Sequence, residues 1–106
     1  MLAWIYLFIA GLFEIGWAVG LKFTEGFTKL WPTIGTGVAI VASFVLLSKS
    51  VKEIPIGTAY AVWTGIGATG AAIAGVLLFK ESHEVIRILC IVLIVAGIIG
   101  LTFSSG

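Results

Sequence analysis

Residues 2–21 read LAWIYLFIAGLFEIGWAVGL: nineteen uncharged side chains and one glutamate, Glu14. A helix rises about 1.5 Å per residue, so twenty such residues reach across the roughly 30 Å hydrocarbon core of a bilayer. A cleaved signal peptide would begin with a basic stretch. This chain opens Met1-Leu2-Ala3-Trp4 and its first apolar run is as long as the later ones, so the run reads as a retained span. Working outward, the pattern returns three times, giving expected spans at 2–21, 31–48, 55–79 and 87–103. Pro32 and Pro55 stand where two of these runs begin, and proline suits the first turn of a helix because its missing N–H has no partner there anyway. The runs are continuous rather than alternating, which disfavours a transmembrane β-barrel.

Composition agrees. The 106 residues are 60% hydrophobic and 10% charged, against about 25% charged in a soluble domain. Four spans leave only short links, so the expected fold is one all-α membrane domain, 1–106, with neighbouring helices antiparallel and both chain ends on one side. The net charge of +1 and the lack of a basic cluster exclude nucleic acid as an expected partner. One cysteine, Cys90, and one histidine, His83, make no metal set, and nothing in the chain calls for a cofactor. Thr64-Gly65-Ile66-Gly67 is no phosphate loop, since no lysine follows. With no nucleophile–base pair either, the chain does not read as an enzyme.

Basic side chains do not choose an orientation. Lys49 and Lys52 lie on the face with the chain ends, and Lys22, Lys29, Lys80 and Arg87 on the other. A bias so weak permits insertion both ways, and hence an antiparallel dimer. Four thin helices enclose little space, which also argues for an oligomer. Cys90, Leu93, Ile94 and Gly97 recur at helical spacing in the fourth span and form a candidate dimer surface. An ordinary scatter of membrane glycines explains Gly97 and Gly100 equally well.

A carboxyl in mid-membrane costs several kcal/mol on any scale, so such residues face a cavity or the protein interior and mark function by default. Every other charge here lies in a link or at a span end. Gly11, Trp17 and Ala18 are helical neighbours of Glu14, and the reading gives Gly11 the task of opening space beside the carboxyl. In the third span Tyr60 and Trp63 share a face; Tyr60 lies near the helix start, and the deeper Trp63 N–H needs a partner, which a carboxylate would supply. Ser43, taken alone, reads as bonding back to its own helix. Gly65 and Gly67 weaken the third span locally, compatible either with a bend or with close packing. A carboxyl in hydrocarbon holds a proton when the site is empty, and an arriving cation favours the ionised form and expels it. That competition is the core of proton–cation antiport.

With these residues in place, the chain closely resembles the small multidrug resistance family, nearly end to end. The likeness rests on Gly11-Leu12-Phe13-Glu14, Trp17-Ala18, Leu21-Lys22, Gly26-Phe27-Thr28, Ala42-Ser43-Phe44 and Leu46-Leu47. The longest block is Ile54-Pro55-Ile56-Gly57-Thr58-Ala59-Tyr60-Ala61-Val62-Trp63-Thr64-Gly65-Ile66-Gly67. The resemblance implies a multi-pass protein of the inner (plasma) membrane, an antiparallel dual-topology homodimer that exchanges protons for cations by alternating access. It implies a shared Glu14 pair as the binding site, lined by Ser43, Trp17, Tyr60 and Trp63, a bend at Gly65–Gly67, and dimer contacts through the fourth span, although Cys90 stands where many members have glycine. Gly11, Trp17, Ala18 and Ala68 look like the guanidinium-exporting subtype, implying guanidinium or a small substituted guanidinium as substrate. Thr102, where that subtype usually has lysine, and Gly16, where it has a bulkier residue, depart from it. The alternatives are a broader exporter of quaternary ammonium and other hydrophobic cations, and a non-transporting or heterodimer-only membrane subunit.

Overall fold

The computed structural model describes residues 2–81 and 83–104, and these form four helices: α1 (Leu2–Phe23), α2 (Leu30–Ser50), α3 (Ile56–Phe79) and α4 (Val85–Ser104). Each is long and apolar enough to cross a membrane. The helices run up to two residues past the ends expected for the spans, except that α3 starts one residue later, after Pro55. The extensions carry Lys22 and Lys49 into the last turns of α1 and α2. Both lysines have long stems and lie over aromatic rings, Lys22 Nζ 5.4 Å from the Phe79 centroid and Lys49 Nζ 5.7 Å from that of Tyr6.

Helix α1 is the centre, packed along both α2 and α3, while α4 packs on α3 alone among the described residues. The buried stripe of α1 is Ala3, Leu7 and Ala10, at helical spacing, and it meets Leu47 of α2 with Ala59, Val62 and Trp63 of α3. Between the outer parts of the helices the packing is isoleucine into glycine. Ile66 of α3 covers Gly11 of α1, Ile15 of α1 covers Gly70 of α3, and Ile98 of α4 covers Gly65 of α3. A Cβ at Gly11 would lie 2.7 Å from Ile66, and one at Gly65 2.8 Å from Ile98. Lipid is as apolar as a side chain, so helices associate in it through such close contact rather than through escape from water. Overfilling one of these sites costs about 1–3 kcal/mol.

The links are short and internally bonded. In the first, Thr24 Oγ1 donates to the Leu21 carbonyl at 2.8 Å and accepts from the Phe27 N–H at 3.2 Å. The turn it pins passes through positive φ at Glu25, Gly26 and Phe27, where only Gly26 is free of strain. In the third, the Glu81 N–H donates to the Gly75 carbonyl at 3.1 Å, and Arg87 reaches back to Glu81 at 2.8 Å.

No residue of α4 is buried. Its contact with α3 runs along Arg87, Ile94 and Ile98: the Arg87 guanidinium donates to the Ala72 carbonyl at 3.3 Å, and Ile94 and Ile98 meet Gly65. Cys90, Leu93 and Gly97 are exposed, and space beside Gly97 and Gly100 is open. All four residues expected at a dimer surface are exposed in the single chain, and Ile94, 37% exposed, also borders Gly65 beside Ile98.

Candidate functional site

The Glu14 side chain is half-buried and rests against Gly67 of α3; any Cβ at Gly67 would overlap the carboxyl. The space beside the carboxyl is thus made by Gly67, a residue whose sequence context suggested a bend. Gly11, expected to open that space, is instead filled by Ile66. The reason is register. Gly11 lies on the side of α1 that takes up an α3 side chain, whereas Glu14 needs a gap on α3 itself, and only Gly67 supplies it.

Ser43 and Trp63 are fully buried neighbours. The Trp63 indole N–H donates to Ser43 Oγ at 2.8 Å, and Ser43 Oγ donates to the Ala10 carbonyl at 2.7 Å. Ser43 therefore ties α2 to α1 instead of bonding back to its own helix, and Trp63 takes the serine rather than the carboxylate as its partner. The Ala10 carbonyl is also the one that the Glu14 N–H meets in regular α-helix. The chain Trp63–Ser43–Ala10 thus fixes the backbone from which the Glu14 side chain departs, and leaves the carboxyl itself uncommitted. Glu14 Oε1 is buried and has no hydrogen-bond partner among the described residues, and the same holds for Trp17 Nε1. The ion pairs Lys29–Glu25 and Arg87–Glu81 lie at the links.

Aromatic rings extend from Trp63. Phe44 packs on it at 5.2 Å and Tyr60 at 5.6 Å between centroids, both tilted. Phe44 had no place in the sequence reading of the site, because its only signal was its position beside Ser43. Tyr60 is 56% exposed in the single chain, and with Thr64 and Ala68, also exposed, it forms a stripe at four-residue spacing along α3. Trp17 and Ala18 are half-buried on α1. The structure thus brings Ser43, Trp63 and Tyr60 into one group and Glu14 with Gly67 into another, the two joined through the α1 backbone. Helix α3 runs through Gly65 and Gly67 without a break. Gly16 is exposed with nothing within 4 Å of where its side chain would begin. Thr102 Oγ1 donates to the Ile98 carbonyl of its own helix at 2.9 Å.

What this arrangement offers is an acidic group half-buried in a helical body, with no ion-pair or hydrogen-bond partner for its buried Oε1 among the described residues.

Comparison with known proteins bears on the site. Residues 2–94 match the family described as Small Multidrug Resistance protein. A protein called Guanidinium exporter from Salmonella typhimurium is 59% identical over 104 residues, covering 98% of this chain and 99% of the relative. Proteins of the same name from Citrobacter freundii and Proteus vulgaris are 57% and 55% identical, each over 98% of this chain and over 99% and 100% of their own lengths.

Proposed function

The chain belongs to the small multidrug resistance family, a multi-pass transporter of the inner membrane, and from that premise we propose that it exports guanidinium in exchange for protons at Glu14. The observation that carries the proposal is the uncommitted carboxyl. Glu14 is the one acidic residue in the four helices, and its buried Oε1 has no partner among the described residues. A proton or a cation completes it, and each excludes the other.

Guanidinium suits this acceptor better than a spherical ion does. Its donors lie in one plane and match the two oxygens of a carboxylate. Trp63 and Tyr60 supply flat faces, with Trp17 on the Glu14 helix adding an indole N–H that has no partner within the chain. Ser43 acts by holding the Ala10 carbonyl, and so the height of Glu14 in the membrane.

The working unit is an antiparallel homodimer in which two Glu14 carboxyls share one cation. Three features of the single chain support it. Helix α4 has no buried residue and presents Cys90, Leu93 and Gly97 outward. The stripe Tyr60, Thr64 and Ala68 is uncovered although it borders the site. Basic side chains number two against four on the two faces, too even a division to impose one orientation. Alternation of the two ends then requires α3 to flex differently in the two subunits, and Gly65 and Gly67 are where it does so.

The test is proton flux driven by a guanidinium gradient across liposomes holding the purified chain, followed with a pH dye. Wild type is compared with Glu14→Gln, and guanidinium with methylguanidinium and tetrapropylammonium. Flux with the two guanidinium ions that vanishes in Glu14→Gln supports the proposal. Comparable flux with tetrapropylammonium assigns a broader range of hydrophobic cations, a reading that the open space at Gly16 beside Trp17 favours. No flux with any cation assigns a non-transporting or heterodimer-only subunit.

A further inference from the structure

Around the acid, α1 and α3 meet through three successive contacts, and the carboxyl makes the middle one. Ile66 of α3 fills the gap at Gly11 of α1, Glu14 of α1 fills the gap at Gly67 of α3, and Ile15 of α1 fills the gap at Gly70 of α3. The outer two set isoleucine against glycine. Isoleucine is branched at Cβ and keeps essentially one χ1 rotamer in a helix, so neither contact yields without a movement of the backbone. The middle contact is of another kind. Glutamate has a flexible side chain, and its buried Oε1 has no hydrogen-bond partner among the described residues. Touching Gly67 does not by itself fix such a group.

We infer that Ile15, seated in the notch at Gly70, is a positioning residue for exchange: it fixes the rotation of α1 and so keeps the Glu14 carboxyl on Gly67. The inference rests on the exchange reading above. Ile15 follows Glu14 directly in the chain, so the two side chains leave the helix about 100° apart and turn together. At a side-chain radius of about 5–6 Å, a rotation of α1 by roughly 10° carries the carboxyl about 1 Å. Misplacement on that scale at a reacting group costs on the order of 100-fold. The Ile15 contact resists this rotation one residue from the acid, and the Ile66–Gly11 contact resists it one turn earlier. Glycine is needed at position 70 because a Cβ there would run into Ile15 Cδ1 and Cγ1 and lie 3.0 Å from Cγ2. Ile15 is not assigned to the cation; it acts through the acid beside it.

The experiment measures proton flux in liposomes against guanidinium concentration for wild type, Ile15→Ala, Gly70→Ala and the double variant. Ile15→Ala empties the notch and removes all three atoms that a Cβ at Gly70 would meet; Gly70→Ala overfills it. Each single variant is expected to raise the half-saturating guanidinium concentration at least tenfold. The double variant puts one methyl group on each side and returns to within threefold of wild type. Gly20→Ala overfills the contact with Thr36 of α2 instead; it lowers stability and leaves the half-saturating concentration unchanged, as a purely structural defect does. Wild-type values in the single variants, no recovery in the double variant, or an equal rise in Gly20→Ala each overturn the inference. A second readout needs no transport. Dicyclohexylcarbodiimide, an apolar reagent for carboxyl groups, adds to Glu14, and its rate is followed by mass with Glu14→Gln as background. A carboxyl displaced from Gly67 reacts at least fivefold faster in each single variant, and equal rates overturn the inference even where exchange is normal. Absence of exchange in wild type, with faster labelling of the single variants, sinks the transport reading and keeps Ile15 as the residue that seats the acid.

Discussion

Replacing Gly67 with alanine tests the seat of the carboxyl more sharply than removing the carboxyl does. The added Cβ would lie 2.7 Å from Glu14 Cγ and overlap the carboxyl group itself, a separation that real Cβ atoms do not show. What yields is the flexible end of the Glu14 side chain, since the α3 backbone is held on both sides by Trp63 and by the Ile15–Gly70 contact. Overpacking costs about 1–3 kcal/mol, and alanine returns about 1 kcal/mol in helix propensity over glycine. The net loss of stability is therefore about 0–2 kcal/mol and the protein still folds. Function is far more sensitive, because a misplacement of about 1 Å at a reacting group costs on the order of 100-fold. The expected outcome is a Gly67→Ala protein that purifies and unfolds in detergent nearly as wild type does but moves protons against guanidinium about 100-fold more slowly. Gly16→Ala is the control: nothing lies within 4 Å of that position, so exchange holds. A Gly67→Ala protein with the wild-type rate would refute the assignment of Gly67 as the seat of Glu14.

Other outcomes follow from particular contacts. Ser43→Ala removes the acceptor of the buried Trp63 N–H, so unfolding in detergent shows a loss of about 1–3 kcal/mol, and guanidinium exchange falls more than transport of a donor-free cation. Gly20→Ala drives a Cβ into the Thr36 hydroxyl and costs about 1–3 kcal/mol; adding Thr36→Ala restores most of it, which a double-mutant cycle reads as coupling. Arg87→Gln breaks a partly exposed pair with Glu81 and shifts stability by only about 0–1 kcal/mol, a loss that shrinks as salt is added. Trp63→Gly opens the aromatic wall shared with Phe44 and Tyr60 and lets larger cations be carried, measured as tetrapropylammonium-driven proton flux absent from wild type.

The helices were legible because hydrocarbon leaves a chain few choices. Runs such as residues 2–21 have no other way to satisfy their backbone groups. Glu14 was legible for the same reason, as the one acid that water does not reach by way of a link. The partners of Glu14 were not. Helical spacing along α1 pointed to Gly11, but which glycine makes room for a side chain depends on the rotation of two helices against each other, and that is set by how Ile66, Ile15 and Ile98 find their gaps. Ser43 shows the same gap. A lone hydroxyl in a span has its own helix within reach, and only the approach of α1 brings the Ala10 carbonyl close enough to compete.

The single seam that attaches α4 has a consequence for how this protein changes over time. Helix α1 packs along α2 and α3, and α4 joins this body through α3 alone, at Arg87, Ile94 and Ile98. Substitutions on its outer face leave the subunit's own fold alone and register only in whatever that face meets. In the proposed antiparallel pair, pairing can therefore drift, weaken or find a different relative as partner while the proposed site at Glu14 stays under a separate and stricter constraint. A chain severed in the third link and supplied as two pieces should reassemble across that one seam, and a fourth helix borrowed from a relative should redirect the pairing without disturbing the carboxyl.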